Sequence, residues 1–185
     1  MADMDKKLAN KKSTRILWVD MEMGGLDPLN DIILEVAAIV TDWDFNELAV
    51  HEAVVHQSDT ALKNMNEWCV NQHGTSGLMQ RSRESKLTLK KAESDLLELI
   101  DQNFEKDTPV LLAGNSIHQD RRFIAANWPK LDARLHYRML DVSAWKVVFE
   151  AKFKKRFAKP EEHLALSDIR GSIMELKYYL AKVKI

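Results

Sequence analysis

The run DIILEVAAIVTD, residues 31–42, followed after a short polar break by NELAVHEAVVHQ, residues 46–57, constrains the fold of this chain more than any other stretch. Both are rich in β-branched residues, and the polar break between Asp42 and Asn46 reads as the turn of a hairpin. RILWVDMEM, residues 15–23, is a third strand just upstream, broken off by GGLDP. The pattern then changes period. Residues 60–73 and 88–104 carry apolar positions at helical spacing, with Thr88 placed to cap the second of these. PVLLAGN reads as a short buried strand, followed by a helix over 117–127, a strand LHYRMLDV, a helix over 143–157 and a closing helix over 164–182. A meander of strands followed by alternating strands and helices predicts an α/β fold: a mixed β-sheet covered by helices on both faces.

At 185 residues with 45% hydrophobic side chains the chain fills one core rather than two, so residues 14–185 are expected to form a single domain behind a polar tail, 1–13. Cys69 is the single cysteine, so no intrachain disulfide can form. No apolar run approaches the ~20 residues of a membrane span, and the N-terminus lacks the apolar segment of a secretory signal. These features point to the cytoplasm. With 27 basic against 28 acidic residues, the formal charge of −1 is not that of a protein coating long nucleic acid. A small anionic substrate remains compatible, especially at a site where bound cations offset acids.

Asp20 and Glu22 interrupt the first strand. Alternate residues of a strand share a face, so the two carboxylates project together about 7 Å apart along the backbone. An isolated pair of this kind more often marks the wet face of an edge strand. Here Trp18, Val19, Met21 and Met23 make both flanks apolar. Asp120 follows the strand PVLLAGN at the start of a helix, where ligands collect in open α/β sheets, although an acid in a first helical turn also suits the helix dipole. His163 and Asp168 open the last helix in HLALSDIRGSI. Together these residues make four carboxylates and one imidazole. Oxygen donors suit Mg²⁺ or Mn²⁺ rather than zinc, and two such ions can hold the attacking and leaving oxygens of a phosphodiester. A histidine supplies the base that carboxylates lack.

WVDMEMGGLDP, WCVNQHGTSGL, LLAGNSIHQDRRF, LHYRMLDVS and HLALSDIRGSI, in this order and covering the chain from about Thr14 to Ala181, resemble the oligoribonuclease family, in the DEDDh branch of 3′–5′ exonucleases. The resemblance implies an RNase H-like fold, a homodimer, and hydrolysis of very short single-stranded oligoribonucleotides, especially dinucleotides, to 5′-mononucleotides. It implies that Asp20, Glu22, Asp120 and Asp168 bind two divalent metal ions and that His163 is the general base. It also nominates Leu26 and Trp68 as surfaces for the bases, His73 as a nearby contact, and Ser116, Arg138, Ser143 and the partner subunit's Tyr137 as a cap for the 5′-phosphate. Gly24 and Gly171 depart from the family pattern, which has threonine and glutamate there. Paired with Gly25, Gly24 is expected to loosen the loop carrying Leu26. Gly171 within a helix should cost roughly 0.5–1 kcal/mol relative to alanine.

Two rival readings share these residues: a related exonuclease trimming DNA or longer RNA ends, and a binding module that has lost catalysis. The lack of long basic tracts and the HYRMLDVS segment argue against the first; the presence of every acid argues against the second. KVVFEAKFKKRFAK, residues 146–159, combines six basic residues with three phenylalanines four apart, which is better read as the apolar stripe of an amphipathic helix than as an RNA grip. His118 is set aside as a ligand because imidazole is not a preferred magnesium donor, and His51, His56 and His136 are assigned to structure or surface. Glu35, inside the apolar run ILEVAA, requires a partner if buried, and its sequence neighbours offer none.

Overall fold

The computed structural model describes residues 13–158 and 165–183. Its five strands are β1 (Ile16–Met23), β2 (Ile33–Thr41), β3 (Glu47–Val54), β4 (Val110–Gly114) and β5 (Leu135–Asp141), in the spatial order β3-β2-β1-β4-β5. β1, β2 and β3 form the expected antiparallel meander, and β4 and β5 join parallel to β1. The mixed sheet follows from connection length: the β2–β3 turn is a few residues, whereas β4 and β5 each follow helical segments.

The helices are α1 (Asp59–Lys63), α2 (Glu67–Thr75), α3 (Leu78–Glu84), α4 (Leu89–Asn103), α5 (His118–Asn127), α6 (Pro129–Asp132), α7 (Val142–Phe153) and α8 (Ala165–Leu180). Thr88 caps α4 as its position implies, accepting a hydrogen bond from the Lys91 N–H at 3.2 Å. The helix expected over 60–73 is instead two, because Asn66 accepts from the Cys69 N–H at 2.9 Å and starts a new helix. α7 ends at Phe153 rather than 157, where Lys154 adopts a left-handed conformation. α3 was not anticipated: it buries only Leu78 and Ser82 and carries no apolar stripe. Residues 159–163, expected as a loop, and residues 1–12 of the expected tail 1–13 lie outside the described residues.

Alternation along β1 divides the core. Leu17, Val19 and Met21 pack on one face with Leu96 and Ile100 of α4 and Phe123 and Ile124 of α5. Ile16 and Trp18 pack on the other with Val142 of α7 and Ile169, Ile173 and Leu176 of α8. All are buried, so truncating Leu17 or Ile169 to alanine should cost about 2–5 kcal/mol. The fully buried Trp18 keeps its indole satisfied by donating to Thr41 Oγ1 at 3.0 Å. By the same alternation, Asp20 and Glu22 continue the Trp18 face and meet α8. Phe149 is buried against Tyr179, with ring centroids 4.7 Å apart, which bears out the packing reading of the aromatic stripe at that residue; Phe153 is half exposed.

Candidate active site

Ligand atoms of Asp20, Glu22 and Asp168 lie within 4.8 Å of one another, all three residues partly buried. The strand period supplies the first two, and the first turn of α8 supplies the third. Asp120 is not in that group of ligand atoms, but it stands close enough at the start of α5 to feel the charges of Asp20 and Glu22. β4 stays paired with β1 only as far as Trp18↔Ala113, and beyond that point the edge of β1 is open. Gly114 lets the strand end approach, since a Cβ there would sit 2.8 Å from the Val19 carbonyl oxygen. The Asp120 carboxyl, 5% exposed at the start of α5, hydrogen-bonds the Met21 backbone and feels the charges of Asp20 and Glu22.

Such crowding has an electrostatic signature. Burial, then the neighbouring charges of Asp20, Glu35 and Asp168, push the Glu22 carboxyl up to about 8. Burial, with Asp20 next in effect, raises Asp120 well above the ordinary carboxylate range. Acids arranged this way resist ionising together, and a divalent cation relieves the repulsion. The donor set is all oxygen, so it fits a hard divalent ion.

Beside the acids runs a groove of about 470 Å³ lined by Met21, Glu22, Met23, Gly25, Leu26, Asn66, Trp68, Cys69 and His73. Leu26 and Trp68 line it with their side chains each about two-thirds exposed. His73 is buried: its Nε2 donates to the Met23 carbonyl at 2.9 Å, leaving Nδ1 4.0 Å from Glu22 Oε2. The loop carrying Leu26 is not loosened by its two glycines. The Gly24 N–H donates to the Ile32 carbonyl at 2.8 Å, and Asp31, seated where a Gly25 Cβ would overlap it, accepts from the Asp27 N–H at 2.8 Å. Glycine here makes room for a brace. Gly171 is buried within α8.

At the carboxyl ends of β4 and β5, Ser116 and Ser143 place their hydroxyl oxygens 3.1 Å apart. Both are held by Asp141, whose Oδ1 accepts from the Ser116 and Ser143 backbone N–H groups at 3.0 and 2.9 Å. Arg138 lies with its guanidinium 5.1 Å from the exposed Tyr137 ring. His118, set aside as a metal ligand, sits with Nδ1 3.7 Å from Asp141 Oδ2. His163 lies outside the described residues. Sequence reading missed Asp141, although an acid two residues before a serine at a helix start is a capping pattern. It also missed Arg81, whose Nη1 donates to Glu35 Oε1 at 2.8 Å and supplies the partner that Glu35 needs.

Residues 17–176 match the exonuclease family RNase_T. The chain is 45% identical over 175 residues to an oligoribonuclease of Francisella tularensis subsp. novicida, covering 94% of this chain and 98% of that protein. The chain belongs to the oligoribonuclease family. As an oligoribonuclease it is a 3′–5′ exoribonuclease acting on short oligoribonucleotides. A probable oligoribonuclease of Dictyostelium discoideum is 42% identical over 178 residues, covering 94% of this chain and 93% of its own length. Among solved structures, exonuclease I of Methylocaldum szegediense superposes with a TM-score of 0.70 at 17% identity, covering 91% of this chain. A zinc-bound Escherichia coli exonuclease I complex with single-stranded DNA gives 0.67 at 16% identity, again over 91% of this chain. The chain spans 41% of each of those two chains, and the likeness establishes the RNase H-like α/β fold. The acidic cluster on this fold makes the oligoribonuclease a user of divalent metal, and none of its described helices is long and apolar enough to cross a membrane.

Proposed function

We propose that the chain removes 5′-mononucleotides from the 3′ end of short RNA, dinucleotides above all, with two Mg²⁺ or Mn²⁺ ions held by Asp20, Glu22, Asp120 and Asp168. The convergence of Asp20, Glu22 and Asp168 ligand atoms beside the Leu26–Trp68 groove carries this reading. When bound, the cations supply positive charge opposite the attacking and leaving oxygens of the scissile phosphodiester. The chain's own groups do the rest. Leu26 and Trp68 cover the faces of the terminal bases, and base–aromatic stacking holds any sequence. His73, locked to the Met23 carbonyl, lines the groove wall. His163 accepts the proton of the attacking water as the P–O3′ bond breaks and the 3′-oxygen leaves.

Ser116, Ser143 and Arg138 cap the substrate's 5′-phosphate. Arg138 has the charge and fork geometry for a terminal phosphate, and hydroxyls 3.1 Å apart can donate to it together. The partner subunit's Tyr137 completes the cap in a homodimer; the exposed Tyr137 ring supports a role beyond its own subunit. Residues 14–185 act as one exonuclease domain behind the tail 1–13, in the cytoplasm. Incubating 5′-labelled di-, tri- and 20-nucleotide RNA and DNA with either metal tests the reading. Dinucleotide RNA should be cut fastest, and equal rates on the 20-mers would reject the length limit.

A further inference from the structure

We infer that the Glu35–Arg81 ion pair tunes the divalent-cation affinity of the acidic site, acting through Glu22; the inference rests on the metal-binding reading above. Glu35 is 1% exposed in β2 and stands directly opposite Glu22 of β1 in the antiparallel register. Opposed residues of such a pair share a face, with Cα atoms about 4.5–5.5 Å apart. Glu35 therefore faces the same side as the acids. Arg81, reaching in from α3, donates to Glu35 Oε1 at 2.8 Å, while Glu35 Oε2 is buried with no hydrogen-bond partner among the described residues. Arg81's side chain is 41% exposed and Glu35's 1%, so solvent screens the two charges unequally. The field of both reaches Glu22.

A structural staple between β2 and α3 could have been made of apolar side chains, and replacing a buried ion pair by packed apolar groups is often neutral or stabilising. A carboxylate–guanidinium pair whose acid stands opposite Glu22 has an electrostatic consequence that an apolar staple lacks. Glu35 adds negative potential where a cation binds, and Arg81, its ion-pair partner, offsets part of it. Losing Glu35 alone leaves an unmatched positive charge beside Glu22. Losing Arg81 alone leaves Glu35 facing the site, with the bound cation as its countercharge. Losing both restores the local balance.

Calorimetric titration of Mn²⁺ into the metal-free full chain, without nucleotide, reads this directly. Glu35→Gln should weaken Mn²⁺ binding about tenfold, Arg81→Gln should tighten it about threefold, and the double variant should return within twofold of wild type. Melting temperatures of the same proteins report any structural loss separately. The inference is overturned if Mn²⁺ affinity stays within twofold of wild type in every variant that folds, whatever the melting temperatures do, or if both single variants weaken binding alike. A wild-type protein that binds no Mn²⁺ would reject the metal-binding reading itself.

Discussion

The Ser116 backbone N–H donates to Asp141 Oδ1 at 3.0 Å and ties the exit of β4 to the residue that ends β5 and caps α7. Ser116 has φ 50°, a left-handed conformation costly for a residue with a side chain, and this bond together with one from the same N–H to Ser143 Oγ at 2.9 Å holds it there. The two hydroxyls of the proposed phosphate cap are thus positioned by one carboxylate.

Arg138→Ala should weaken a 5′-phosphorylated dinucleotide at least tenfold while changing a dinucleotide without that phosphate less than threefold. Asp141→Ala should reduce the same preference by freeing Ser116 and Ser143. Affinities for the two dinucleotides and for a ten-mer provide the check. A ten-mer bound as well as the phosphorylated dinucleotide by wild type would remove the cap from the mechanism.

Asp20→Ala or Asp168→Ala should reduce turnover by at least a thousandfold in a protein that remains folded, because each removes a donor from a cluster spanning only 4.8 Å. With one repelling charge gone, the metal-free variants should melt no lower than wild type. Turnover within tenfold of wild type for both, together with circular dichroism showing intact folds, would contradict the metal assignment.

Glu22 should make the metal-free protein lose stability as pH rises towards about 8. Its folded-state value of about 8 lies above the ordinary 4.5, so through that interval the native state holds a proton that the unfolded chain has released. Stability from this group is complete below about pH 4.5 and is lost as pH rises to about 8, by up to about 1.4 kcal/mol per pH unit. Asp120 is raised as well and acts in the same direction. In a chelator, the melting temperature should fall between pH ~5 and ~8; Glu22→Gln should flatten the slope, and Mn²⁺ should stabilise most at the high end. A melting temperature that climbs through this range would contradict the assignment.

His163→Ala should lower the maximal rate by about two to four orders of magnitude with a smaller effect on substrate binding, as expected of a base acting in the transition state. The wild-type rate should rise with pH through the titration of an imidazole, and the variant should lose that limb. Profiles of the same shape and height in both proteins would exclude His163 as the base.

The strands, the long helices and the pairing of Asp20 with Glu22 were legible in the sequence because each is encoded within a turn or two of chain. Period 2 in ILWVDMEM places both acids on one face, and Thr88 marks the start of α4 within three residues. Other features depended on the tertiary structure. The partner of Glu35 is 46 residues away, on a helix with no apolar stripe to announce it. Asp120 reaches the Met21 backbone only because β4 parts from β1 after Ala113. The loop after β1, which two glycines seemed to loosen, is braced by an Asp31 carboxylate that fits because residue 25 is glycine. Local periodicity fixes which face of a strand or helix a side chain occupies, but long-range charges and carbonyls meet only once the sheet order has brought distant segments together, and that order is a property of the packed core as a whole.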